Sequence, residues 1–283
     1  MMQRTYLLLF WLLCCLCAPF AVQAQNDPAT GTGEIAFTRE FGTPGQTGSF
    51  RARFSKKGGG LVFLQMMDHF VTLEAARHKV HTKDDYLLLA SLGGDHALRL
   101  VGTDAETRFR DLGGDDRNSP PWTYTEIENG VQFSLASGNG LVLTKTLRHD
   151  PTQRGFVLEI ELRNETADAG GNVTFQLLGP ALVNPAESGL LGNASTAIAA
   201  PVAGDPKHVA PSAGKVQVLE VDPKTIAFAG NTNRFFASFL YPRDTAASAA
   251  LTGFFVDTVP YVEDKDTLTQ ANSVTRVRYG MSL

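Results

Sequence analysis

Six histidines, His69, His78, His81, His96, His149 and His208, are the side chains of this sequence best suited to proton transfer or metal ligation near neutral pH. His78 and His81 are close, but neither a His-Glu-x-x-His nor a His-x-His spacing is present, so scattered loop and surface histidines explain them better. The acidic groups Asp84-Asp85, Asp115-Asp116 and Glu263-Asp264-Lys265-Asp266 could each offer oxygen ligands to calcium. None has the alternating ligand loop that makes such a site specific, and solvated turns account for them equally well. Gly58-Gly59-Gly60 invites comparison with a phosphate loop. No Lys-Ser/Thr follows it, and Leu61-Val62-Phe63-Leu64 is strand-like, so a turn or bulge is the better reading. No Gly-x-Ser-x-Gly elbow is present. Asn164-Glu165-Thr166, Asn172-Val173-Thr174 and Asn193-Ala194-Ser195 match a glycosylation pattern too short to be specific. The expectation is a protein without a catalytic, cofactor or metal site.

The remaining reactive residue type lies in a segment set aside from the fold. Cys14, Cys15 and Cys17 all fall in the apolar run 6–17, which follows Arg4 and is broken by Pro19. Val22-Gln23-Ala24 then offers small residues to a signal peptidase, so residues 1–24 read as an export signal with Gln25 as the new N-terminus. An uncleaved anchor is the alternative. The exported chain has no cysteine, hence no disulfide and no thiolate chemistry, which suits a bacterial envelope protein held by its core alone. The formal charge of −4 becomes one unit more negative without Arg4, and Lys56-Lys57 is the only local basic cluster. That balance argues against nucleic acid as a partner.

The elements that must position any site are strands. From Trp122 to Leu178 the chain reads as one uninterrupted antiparallel meander, alternating apolar and polar residues through several consecutive runs, with Phe156, Leu158, Ile160 and Leu162 as the clearest apolar face. A helix would scatter such residues around its axis, whereas a sheet with one face on a core places them together. Shorter strands are expected over 49–54, 86–89, 97–101, 216–219, 225–228, 249–256 and 273–279, with a flexible leader over 25–48 and a polar loop over 111–121. Residues 182–215, rich in Ala, Gly, Pro and Ser, read as a long excursion over the surface. No internal repeat is found. Residues 49–283 are expected to form one all-β domain, a twisted antiparallel sandwich with few short helices.

Four segments carry a resemblance: Gly58-Gly59-Gly60 leading into Leu-Val-Phe; Gly140-Leu-Val-Leu-Thr-Lys145-Thr-Leu; Phe175-Gln-Leu-Leu-Gly179-Pro180; and Asn233-Arg-Phe-Phe-Ala-Ser-Phe-Leu-Tyr241-Pro242. In this order they resemble the periplasmic domain of YidC-type membrane protein insertases, over roughly residues 50–279. The resemblance implies a galactose mutarotase-like β-supersandwich and structural roles for Lys145, Gly179, Pro180, Asn233, Arg234, Phe235, Phe236, Tyr241 and Pro242. It also implies a periplasmic, non-catalytic, cofactor-free module that supports membrane protein insertion through contacts with envelope or translocon proteins and nascent membrane proteins. Association with the inner membrane follows if the leader is retained. The transmembrane bundle that carries the family's insertase activity would begin about where this sequence stops, so a truncated insertase and a free-standing relative are both open. A carbohydrate-binding or carbohydrate-active protein on the same fold is the alternative, with His78 or His149 and Glu126 or Glu159 as acid and base.

Overall fold

The computed structural model describes residues 3–13, 35–70, 72–91, 96–102, 122–136, 140–165, 173–181, 196–209, 215–232, 236–261 and 272–283. The expected meander is present as β7 (Thr123–Ile127), β8 (Gly130–Ala136), β9 (Leu141–Asp150) and β10 (Gly155–Asn164), paired antiparallel in chain order. Its alternation becomes burial: Leu143, Leu147, Phe156, Leu158 and Ile160 are all buried. The turns bend at Asn129 (φ 52°) and Arg154 (φ 50°), left-handed positions that close the hairpins tightly. The meander stops at β10, however. The next strand, β11 (Thr174–Leu178), belongs to a different sheet, where its apolar Phe175 and Leu177 are buried.

Three antiparallel sheets build the sandwich. The largest has nine strands. Outward from the meander it adds β1 (Gln3–Leu13), then β16 (Phe236–Pro242), β15 (Ile226–Thr232), β12 (Thr196–Pro201) and β13 (Lys207–Val209). The second has five strands, ordered β14 (Gln217–Val218), β17 (Leu251–Tyr261), β18 (Asn272–Ser282), β11 and β6 (Leu100–Gly102). The third runs in chain order through β2 (Ile35–Phe41), β3 (Phe50–Ser55), β4 (Leu61–Phe70) and β5 (Tyr86–Ser91). A short helix, α1 (Thr245–Ala250), capped by the Asp244 carboxylate on the Ala247 amide, precedes β17. Among the described residues no helix is long and apolar enough to cross a membrane.

One hydrophobic core is shared by all three sheets. Phe41 and Phe50 meet Phe156 at 5.2 and 5.7 Å between ring centres, and Phe54 meets Phe133 at 6.2 Å. Each such ring contributes about 1.5–3 kcal/mol on burial. Polar ties reinforce the seam between the nine- and five-stranded sheets. The Tyr279 hydroxyl donates to the Ala229 carbonyl (2.6 Å), and the Asn231 amide donates to the Thr275 carbonyl (3.0 Å).

Three expectations change. Residues 35–41, placed in a flexible leader, form β2, because Phe37 and Phe41 supply the alternation that lets it pair with β3. The excursion over 182–215 contains β12 and β13; residues 182–195 and 210–214 of it lie outside the described residues. Within the segment set aside as an export signal, residues 3–13 form β1, inserted between β10 and β16. A short continuous apolar run is compatible with a buried strand as well as with a leader, and periodicity cannot separate the two.

His149 gives a first testable consequence. It lies half-buried on β9 against Phe41, Phe50 and Phe156, with Nε2 2.7 Å from the Gly48 carbonyl. Burial pushes its pKa below the ordinary histidine value, although the Gly48 bond and the Asp150 charge act the other way. A folded-state pKa below the unfolded one means stability that is full above about pH 6.5 and lost as pH falls through the folded value. Urea titrations at pH 7 and pH 5 should therefore show a larger acid loss for the native chain than for His149→Gln. Equal losses would refute this role.

Candidate functional site

Lys145 is the residue at which two of the motif segments, its own strand and the glycine turn, meet. On β9 it stands in phase with Leu141, Leu143 and Leu147, opposite Phe133 of β8 and Ile160 of β10, so the pleat aims it into the core. Its side chain is fully buried. Nζ donates to the carbonyls of Gly58 (2.9 Å), Leu98 (2.6 Å) and Gly59, and lies over the rings of Phe133 and Trp122 at 5.6 and 5.8 Å. Burial drives its pKa well below the ordinary lysine value. The three carbonyls match the three N–H donors of the ammonium form and oppose that shift.

The acceptors are presented by unusual backbone. Gly58 (φ 60°) and Gly59 (φ 56°) are both left-handed within the single turn of 3-10 helix at Lys57–Gly59, so the expected glycine turn is present. Leu98 is also left-handed (φ 58°), and its amide donates to the Leu178 carbonyl at 2.7 Å. Lys145 therefore ties the nine-stranded sheet to the β3–β4 turn of the third sheet and to the approach to β6 in the second. A Cβ on Gly59 would sit 2.9 Å from the Phe133 ring and 3.1 Å from Lys145 Cε and Nζ. Gly59→Ala thus combines a disfavoured φ with a clash against the buried amine. A loss of about 2–4 kcal/mol is expected in chemical denaturation, against about 1–2 kcal/mol for Gly45→Ala, where the left-handed φ (85°) alone is strained and nothing lies within 4 Å.

The third motif joins this junction. After β11 the Gly179 amide donates to the Val277 carbonyl at 2.8 Å, and a Cβ there would lie 2.5 Å from that oxygen and 2.8 Å from the Tyr279 ring. Pro180 is buried beside it. The fourth motif lies apart. Asn233, Arg234 and Phe235 are outside the described residues; Phe236 opens β16 opposite Leu13, and Pro242 closes it opposite Leu7. Phe239 packs on Phe228 at 4.8 Å, Leu240 is buried, and burial pushes the pKa of the partly buried Tyr241 up.

A second charged cluster was not expected from the sequence. Asp257 on β17 stands opposite Arg276 on β18 and accepts from its Nε (3.1 Å) and Nη2 (2.7 Å). Arg278, two residues on and on the same face, donates to the same carboxylate through Nε (2.9 Å) and Nη2. Burial pushes the Asp257 carboxyl up, but the bonds and charges of the two arginines outweigh it and hold the pKa below the ordinary value. The available signal was the lone Asp in one strand and alternating Arg-x-Arg in the next, but only the hairpin register shows that they meet.

Two of the groups named for acid–base chemistry, His78 and His149, are hydrogen-bonded to turn residues. His78 Nδ1 is 2.8 Å from Asp85 Oδ1, while Asp85 Oδ2 accepts from the Thr82 amide (2.6 Å) and hydroxyl (3.1 Å) in a capping box. That Thr82 amide bond is the main cause of the lowered Asp85 pKa. His149 serves Gly48 as described, and Glu126 pairs with Arg39 at 3.9 Å. Among the described residues no three His, Cys, Asp or Glu side chains gather where they could hold a metal ion. What the Lys145 junction can do chemically is fix three sheets against one another. No family model matches this chain, and no curated protein matches it.

Proposed function

We propose that this chain is a non-catalytic envelope module of the YidC periplasmic type, on a mutarotase-like β-supersandwich. Its work is contact with extended or emerging polypeptide, in support of membrane protein insertion. The observation that carries the reading is the convergence on Lys145. Two segments far apart in sequence, the glycine turn and the Thr-Lys-Thr strand, meet at one buried amine, and the segment before Gly179-Pro180 is tied to them through Leu98, whose carbonyl takes the same amine and whose amide bonds Leu178. Such convergence is what a shared architecture would require, and chance matches to short motifs would not place them together.

The test pairs two titrations of the purified mature chain, from Gln25 onward. Fluorescent peptides copied from membrane-protein segments should bind saturably, and a panel of aldoses should give neither heat of binding nor anomer interconversion. Sugar turnover that is abolished by His78→Ala or His149→Ala would overturn the proposal, as would the absence of any polypeptide binding.

A further inference from the structure

The middle of the nine-stranded sheet is filled by residues that the sequence marks as a removable leader. β1 pairs with β10 from Gln3↔Leu162 to Leu9↔Phe156, and with β16 from Leu7↔Pro242 to Leu13↔Phe236. It is staggered, leaning on β10 with its first half and on β16 with its second, and both neighbours share it at residues 7–9. Leu7 and Leu9 stand opposite the buried Leu158 and Phe156, and Leu9 and Trp11 stand opposite the buried Leu240 and Ser238. Any strand in this place meets a backbone ladder on both sides and buried residues at alternate positions. A chain that lost residues 1–24 would expose two facing strand edges, and unpaired edges capture other strands.

We propose that the gap between β10 and β16 is an acceptor for one extended, apolar polypeptide segment of about seven to eleven residues, antiparallel to both neighbours. The chain's own residues 3–13 fill it until the leader is released. This rests on the polypeptide-docking reading above and names the site and the class of partner. The chemistry of the guest follows from the resident strand. It carries no acid and a single base, Arg4, and is apolar from 6 to 13. The segments of an exported or membrane-inserting polypeptide have that character, whereas a soluble, charged strand does not.

The experiment places a specific protease site within residues 26–32 of the full chain, nicks it, and adds a labelled peptide of residues 3–13 with lysines appended for solubility. The nicked chain should take up one peptide per chain in exchange for its own fragment, and the un-nicked chain should take up none. In a central antiparallel strand alternate residues bond to alternate neighbours. N-methylation of either alternate set should therefore weaken uptake by about tenfold or more, and Asp at positions 7 and 9 should abolish it. If loss of the fragment unfolds the chain, restoration by the unmodified peptide but not by the N-methylated one reports the same acceptor through stability. Equal uptake of the N-methylated peptides, or a folded nicked chain that takes up none, overturns the proposal. So does unfolding that the peptide does not reverse. Membrane-protein peptides that bind without competing with residues 3–13 would overturn the slot alone and leave docking standing; absence of all polypeptide binding would remove both.

Discussion

Lys145→Ala is expected to bring the protein to the edge of unfolding. Truncation removes a buried aliphatic stem, which costs about 2–5 kcal/mol in a core that cannot collapse. It also leaves the Gly58, Gly59 and Leu98 carbonyls without their donor, each such loss costing about 1–3 kcal/mol. Against a typical total of about 5–15 kcal/mol, the sum leaves little. Lys145→Met separates the contributions. It restores most of the volume and removes the cost of burying a cation, so it should lose distinctly less than alanine; equal losses would show that packing of the stem is unimportant. The pH dependence has a definite sign. Burial depresses the folded-state pKa below the unfolded value of about 10.5. Between the two the unfolded chain binds more protons, so this residue's contribution grows as pH rises and is lost as pH falls through the folded value. Relative to Lys145→Met, the native chain should gain stability toward alkaline pH in paired denaturation curves.

Asp257→Ala is the second large effect, at about 3–5 kcal/mol, because it strands Arg276, which is only 1% exposed, as a buried cation without its counter-charge. Asp257→Asn keeps the shape and part of the hydrogen bonding and should lose less. Removing both partners at once, as Asp257→Leu with Arg276→Met, should recover much of the loss, since a well-packed apolar pair can replace a buried ion pair at little cost. A double variant as weak as the single one would mean that Arg278 and the surrounding backbone depend on the carboxylate itself. The pair also sets an acid limit. The folded-state pKa of Asp257 lies below its unfolded value, so its stabilisation is complete above about pH 4 and disappears as pH falls through the folded value. Asp257→Ala should therefore flatten the acid limb of the stability profile measured by thermal melts.

Asp257→Ala also separates architecture from docking. Asp257 lies in the five-stranded sheet, away from the β10–β16 gap, whereas Lys145 stands opposite Ile160 of β10 and so one strand from it; Asp257→Ala should lower the melting temperature without changing which peptides bind to the remaining folded protein.

Alternation alone was enough to define the strands from β7 to β10 and their buried faces, because pleating is a local property in which every second residue shares a side, but it did not reveal β1, β2, β12 or β13. Phe156, Leu158 and Ile160 could be assigned to the core without any knowledge of their neighbours. Lys145 was legible in part: it occupies the apolar phase of its strand, the one signal that a charged residue points inward. Its meaning was not legible, because its three acceptors lie 86, 87 and 47 residues away and are brought together only when the sheets close. The Asp257 cluster depended likewise on hairpin register, and the destination of residues 3–13 on two edges contributed by β10 and β16. Local chemistry thus determined the strands whose alternation is clean and which side of each is apolar. Tertiary structure decided which strands became neighbours, and with that which buried charges are satisfied and where an edge can receive another chain.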